Sequence, residues 1–369
     1  MGKNALKELE GLGQSIWLDY IRRDFVVGGE LEKFIEQDGL RGMTSNPAIF
    51  EKAILDGVVY EKFMRTMSAA GKDPEAIYEA LSQEDVRSAA DKFRPVYEKT
   101  GGVDGYVSLE VNPHLAHDTE GTIAEARRLW TALDRPNVMI KIPATAEGLP
   151  AVRRLIGEGI NVNVTLIFGI SRYLQVADEY IKGIQDRISR NEPVDHVASV
   201  ASFFLSRIDT MVDPVFEQII NQDGSLAELA KKAYGQVAVS CAKMAYQNYK
   251  RLFEGEIATS MIGRGAKVQR LLWASTSAKN PKFGELKYVE PLIGQNTVNT
   301  LPVKTYHAYR DGGNPTLSIE NDIAQAEEVL KRLPALGIDM DDVVRRLEDE
   351  GIQKFIEPFD KLISTLKNL

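Results

Sequence analysis

The chain has 369 residues, a formal charge of −8, and 44% hydrophobic against 27% charged side chains. That balance excludes disordered and fibrous classes and supplies apolar material for a large core, while the acidic total argues against a surface built for nucleic acid or anionic lipid. Cys241 is the only cysteine, so no intrachain disulfide can form and a reducing compartment is natural.

In chain order, the opening segment MGKNALKELEGLGQS has no apolar stretch of the signal-peptide kind and is too acidic for a transit peptide. The longest apolar runs, such as VNVTLIFGI, fall far short of the roughly 20 residues that span a bilayer. A cytoplasmic protein without a membrane partner is expected. Short β-rich runs then follow at SIWLDYI (15–21), LRGMTS (40–45), GYVSLEV (105–111), NVMIKI (137–142), NVNVTLIF (161–168), HVASVASFF (196–204), VQRLLWAS (268–275) and TVNTL (297–301). Segments of helical period separate them, among them EGTIAEARRLWTALD, EGLPAVRRLIGEG and SRYLQVADEYIKGIQDRI.

Eight strand and helix units predict an α/β fold with a parallel sheet closed into a (β/α)8 TIM barrel with additional helices. An open doubly wound sheet is the alternative; against it, no GxGxxG turn follows the first strand and no GxxxxGK[ST] loop occurs. Two intervals exceed a simple crossover. Residues 46–104 are expected to hold two or three helices, broken near Gly71 to Pro74 and at Gly101-Gly102, and residues 205–267 form a long helical excursion that includes Cys241. The tail from about Pro315 reads as helices on the barrel exterior or over its mouth. No linker or repeat divides the chain, which predicts one domain over 1–369.

Alternation along the strands sorts side chains onto two faces. Asp19, Glu110 and Lys141 fall with Trp17, Ser108 and Met139 on one face of their strands, and Asn161, Asn163 and Thr165 on one face of theirs; Val162, Val164 and Leu166 are expected to face the helical layer. Barrel interiors are normally filled by branched apolar groups, so converging polar side chains there resemble an active site at the carboxyl ends of the strands. A lysine in that setting can attack a ketone, with carboxylates supplying acid and base. A lone lysine in a strand more often reaches out to solvent, and periodicity by itself leaves both readings of Lys141 open.

WLDYIRRDF (17–25), GMTSNPAIF (42–50), SLEV (108–111), VMIKIPAT (138–145), NVTLIF (163–168) and ASFFLSRID (201–209) occur in the order and spacing of transaldolases, and the resemblance spans nearly the whole chain. It implies a class I aldolase-like barrel that moves a dihydroxyacetone unit from sedoheptulose 7-phosphate or fructose 6-phosphate to an aldose phosphate, in the pentose phosphate pathway, without metal or organic cofactor. It also implies site roles. Lys141 would be the Schiff-base lysine, Glu110 the acid/base acting through a water held with Thr165, and Asp19 the base for the substrate C4 hydroxyl. Thr44, Asn46, Ser108 and Asn163 would hold hydroxyls of the dihydroxyacetone unit, Ser202 and Phe204 would line the pocket, and Arg207 would bind phosphate.

Departures from the commoner pattern lie at WASTSAKNP (273–281), where many transaldolases carry a second phosphate-binding arginine and the resemblance implies Lys279 as its substitute, and at NPHLAHD (112–118). These resemble the longer bacterial branch, related to the transaldolase half of fusions with phosphoglucose isomerase. Three alternatives stay open: a related class I aldolase releasing free dihydroxyacetone, a metal-dependent aldolase using His114, His117 and Asp118, and a non-catalytic sugar-phosphate binder. Monomer and homodimer are equally compatible with the sequence.

Overall fold

The β-rich runs pair edge to edge in chain order, all parallel, and the last closes on the first. A computed structural model describes residues 4–222 and 224–368; residues 1–3 of the opening segment, and 369 at the end of the tail, lie outside them. The strands are β1 Gln14–Asp19, β2 Gly42–Thr44, β3 Tyr106–Glu110, β4 Val138–Pro143, β5 Val162–Ile167, β6 Ser199–Phe204, β7 Arg270–Ala274 and β8 Thr297–Leu301. Each of the eight expected runs overlaps one of them, β1 beginning one residue before its run and β4 ending one residue after, and the sheet is a closed barrel rather than the open doubly wound alternative.

Helices cover the outside because both faces of a parallel sheet must be shielded from water. Thr119–Leu133, Gly148–Glu158 and Ile170–Ser189 are the crossovers after β3, β4 and β5. The interval 46–104 holds Pro47–Asp56, Val58–Ala69 and Pro74–Lys99, and the excursion 205–267 holds Ser206–Asn221, Ala227–Ala233, Val237–Phe253 and Glu256–Ile262. Asp73 explains the expected break before Pro74, since its side chain accepts from the Ala76 N–H and caps the helix. Cys241 is buried within Val237–Phe253. The tail ends in the long helix Met340–Leu366, which packs on Pro47–Asp56 and on β5 and so lies across the mouth. Among the described residues no helix is long and apolar enough to cross a membrane.

Register fixes which side chains share the interior. Asp19 lies beside Thr44, Glu110 beside Lys141, and Lys141 beside Asn163. Lower in the barrel Trp17 lies beside Gly42, and a Cβ at Gly42 would sit 2.6 Å from the Trp17 indole. Glycine is there because the ring fills the space a side chain would need.

One face assignment is corrected. Leu166 does not continue the outward row of Val162 and Val164. The β5–β6 register shifts between Val164 and Ile167, and Leu166 takes a left-handed φ of 61°. The irregularity turns its side chain toward Gly351 of the tail helix.

Candidate active site

Lys141 enters from the middle of β4, flanked in sequence by Ile140 and Ile142 on the outer face, and is only 4% exposed. Its Nζ donates to the Ser45 carbonyl at 2.9 Å and lies 2.5 Å from Glu110 Oε1. The register of β3 and β4 sets Glu110 directly beside Lys141 and so allows that contact. Across the barrel Asp19 Oδ1 accepts from Thr44 Oγ1 at 2.7 Å, and the Thr44 and Thr300 hydroxyls meet at 2.8 Å.

Beside the lysine runs a buried chain: Ser202 Oγ donates to Asn163 Oδ1 at 2.7 Å, and Asn163 Nδ2 donates to Ser108 Oγ at 3.1 Å. Asn46 caps Pro47–Asp56 by accepting from the Ile49 N–H, which fixes it at the rim. A cavity of about 790 Å³ opens at the carboxyl ends of the strands, walled by Asp19, Thr44, Asn46, Lys141, Thr165, Ser202, Phe204, Arg207 and Lys279. Of the other sequence-predicted residues, Glu110 faces an adjoining pocket of about 290 Å³ with Lys141 and Thr165, while Asn163, in register with Lys141, and Ser108, in register with Met139, are buried beside them. The structure thus brings all twelve to one end of the barrel.

Electrostatics divide the site into two poles. At the inner pole burial pushes the Asp19 carboxyl above its ordinary range, opposed by Lys141 and by the Thr44 hydrogen bond. Burial raises Glu110 likewise, with Lys141 opposing and Asp19 adding to the rise. At the outer pole loss of solvent lowers Arg207, with Glu350 opposing. Lys279, whose Nζ donates to Ser277 Oγ at 2.7 Å, is lowered by desolvation and then by Arg207. Two cations on the wall of one cavity, with Arg207 lowering Lys279, favour an anion between them.

Several polar atoms here are buried and have no hydrogen-bond partner among the described residues: both Glu110 oxygens, which meet Lys141 only as an ion pair, Thr165 Oγ1 and Arg207 Nη1. Such atoms are rare in folded proteins and mark places where something else must satisfy them. Chemically, a buried amine beside one carboxylate, with a second across the cavity and an anion site at the rim, suits carbonyl addition to an anionic substrate.

Sequence reasoning missed Ser45, whose backbone carbonyl holds the lysine, and Thr300, Ser275, Ser277, Lys354 and Phe355 in the cavity wall. Thr300 was recoverable from alternation along β8. Phe355 and Lys354 were not, since nothing local tells which turn of the tail helix overhangs the mouth. His114 and His117 diverge: His114 Nε2 meets Asp360 at 2.7 Å and His117 Nδ1 meets Glu147 at 3.1 Å. Among the described residues no group of three or more His, Cys, Asp or Glu is placed to hold a metal ion.

A closed parallel barrel whose polar side chains converge at the carboxyl ends of its strands is the architecture of a barrel enzyme. Residues 16–366 match the family profile described as transaldolase/fructose-6-phosphate aldolase. The chain is 47% identical to the transaldolase of Trichodesmium erythraeum, aligned over 100% of this chain and 98% of the relative. It is 45% identical to transaldolase 2 of Nostoc sp., again over 100% and 98%, and 44% identical to the transaldolase of Thiobacillus denitrificans over 98% and 99%. The chain belongs to the transaldolase/fructose-6-phosphate aldolase family, and it is an enzyme of the transferase class.

Proposed function

We propose that this enzyme carries a dihydroxyacetone unit from sedoheptulose 7-phosphate to glyceraldehyde 3-phosphate, giving erythrose 4-phosphate and fructose 6-phosphate, through a Schiff base on Lys141. The observation that carries the assignment of residues is the buried Lys141–Glu110 contact of 2.5 Å facing Asp19 across the cavity. Full-length similarity to transaldolases supports the reaction.

Lys141 Nζ adds to the C2 ketone, and Glu110 moves the protons that let water leave and the imine form. Burial keeps Glu110 able to hold a proton at higher pH than an exposed glutamate would. Asp19 takes the C4 hydroxyl proton, the C3–C4 bond breaks, and its electron pair passes into the protonated imine. The aldose phosphate leaves. The three-carbon nucleophile then adds to the second aldehyde, and water hydrolyses the imine to free the product and the amine.

Thr44, Asn46, Ser108 and Asn163 hold hydroxyls of the dihydroxyacetone unit, and Ser202 and Phe204 line the pocket. Thr165 Oγ1 holds the water through which Glu110 acts, a role supported by its lack of a protein partner among the described residues and by the pocket it shares with Glu110. Arg207 and Lys279 bind the phosphate. The barrel with its helical insertions and tail acts as one domain in the cytoplasm, as monomer or homodimer. Borohydride trapping with fructose 6-phosphate, followed by mass mapping of the modified peptide, tests this directly: the adduct belongs on Lys141, and an adduct elsewhere, or none, overturns the assignment.

A further inference from the structure

Resting on the Schiff-base reading of Lys141, we propose that Phe355 of the tail helix is the shielding residue that makes the covalent intermediate wait for an aldose instead of being protonated and released.

Three residues, Lys141, Thr165 and Phe355, wall both the open cavity and the smaller pocket that holds Glu110. Lys141 and Thr165 come from the barrel. Among the described residues Phe355 is the sole contribution of the tail to that partition, and its ring centroid lies 5.7 Å from Lys141 Nζ. It is 8% exposed, with Ile352 of the same helix lining the smaller pocket beside Val111, Pro113 and Leu166. The amine therefore has carboxylate on one side and an apolar cap on the other. A protonated imine formed there would keep a favourable cation–ring contact.

The cap is held down by an arrangement with a conformational cost. Leu166 is a leucine at φ 61°, in the left-handed region that disfavours its side chain, within the β5 irregularity. That geometry directs it to the underside of the tail helix at Gly351, where an added Cβ would lie 3.1 Å from Leu166 Cδ2. Gly351 is one turn before Phe355. The missing side chain lets the helix settle on Leu166, and that contact sets the height of the phenyl ring over Lys141.

The chemistry gives such a cap a purpose. After C3–C4 cleavage the bound three-carbon unit is nucleophilic at the carbon that lost the aldose. If water delivers a proton there, the imine is re-formed; a second water then adds across C=N and releases dihydroxyacetone and the free amine. If an aldehyde arrives first, a new C–C bond forms and the unit is transferred. Excluding water from that carbon favours transfer.

Purified full-length Phe355→Ala and Phe355→Leu are compared with the unsubstituted enzyme on fructose 6-phosphate, with and without erythrose 4-phosphate, following dihydroxyacetone by NMR in deuterated solvent. For Phe355→Ala the ratio of deuterated dihydroxyacetone released to unit transferred rises about tenfold, and for Phe355→Leu, which retains part of the bulk, it rises by less. Borohydride adducts on Lys141 form in both. A role confined to packing lowers release and transfer together, and an unchanged ratio in either variant overturns the proposal; Phe355→Leu alone decides if Phe355→Ala does not fold. Absence of an adduct on Lys141 in the unsubstituted enzyme sinks the Schiff-base reading and the shield with it. An adduct with an unchanged ratio sinks the shield alone.

Discussion

The barrel buries ionised side chains at both ends, and treats them in opposite ways. At the amino ends of the strands Asp104 and Arg270 pair at 2.8 Å, each about 9% exposed. Asp104 also accepts from Ser15 Oγ at 2.6 Å and Trp17 Nε1 at 3.1 Å, while Arg270 donates to Ser15 Oγ at 2.8 Å and the Val103 carbonyl at 2.7 Å. Every oxygen of that carboxylate is used. At the carboxyl ends Glu110 meets Lys141 at 2.5 Å, yet among the described residues its carboxylate has no other polar partner and Arg207 Nη1 has none. Burying a charge is costly at either end. At the floor the cost is offset by a closed network, whereas at the mouth the geometry leaves capacity for a substrate. Buried charge alone therefore does not separate the two ends; what differs between the Asp104 and Glu110 carboxylates is how much of their bonding capacity the protein itself uses.

The sharpest way to break this contrast is Lys141→Arg. Arginine stays protonated and cannot form an imine, so trapped adduct disappears and transfer falls by at least about 10⁴-fold, with little change in thermal unfolding. Retained adduct would move the nucleophile elsewhere. The floor responds the other way. Asp104→Ala strands the Arg270 guanidinium and costs about 3–5 kcal/mol of stability, read as a lowered unfolding midpoint, while kcat per folded molecule is kept. If activity in the folded fraction fell instead, the two ends would be coupled and the division between them would be wrong.

The strands were legible because alternation is a period-two signal that barrel closure does not disturb, and the same alternation put Asp19, Glu110 and Lys141 on one face. The naming of their chemistry came from motif resemblance, since a strand lysine has two readings. Leu166 defeated the pattern: a single register shift in β5 turns it out of the row, and nothing in NVNVTLIF marks the irregularity. Phe355 defeated it for another reason. An amphipathic helix shows which face is apolar but not what lies beneath, and its partner Lys141 is more than two hundred residues away. Lys279 stood between these cases, suggested by its place after β7, and the structure sets it in the same cavity wall as Arg207.

Within the mouth the two poles can be separated. Arg207→Ala removes a charged donor whose hydrogen bonds to phosphate carry about 1.5–3 kcal/mol, so KM for phosphorylated substrates rises roughly 10- to 100-fold. Borohydride trapping with free dihydroxyacetone, which lacks the phosphate, is expected to be unaffected. Equal losses with both would mean that Arg207 supports the wall and not the anion, and the outer pole would join the floor as structure.

The smallest effect concerns the price of keeping Asp19 in place. Its ordinary value is 3.8, and burial holds it higher in the folded enzyme, with Lys141 and Thr44 opposing. Below the ordinary value the carboxyl is protonated both folded and unfolded and contributes no penalty. As pH rises, the unfolded chain loses the proton first, so the folded state binds more protons and stability falls until the folded carboxyl ionises as well. At neutral pH the penalty is present in full only if the folded value has been passed. Asp19→Asn should therefore be more stable than the unsubstituted enzyme at pH 8 by roughly 0.5–2 kcal/mol, while losing activity. The stability gap narrows toward pH 4. Paired thermal melts at the two pH values measure it, and a variant that is destabilised equally at both would show that the Thr44 hydrogen bond to Asp19 outweighs its burial, making this corner of the mouth as self-sufficient as the floor.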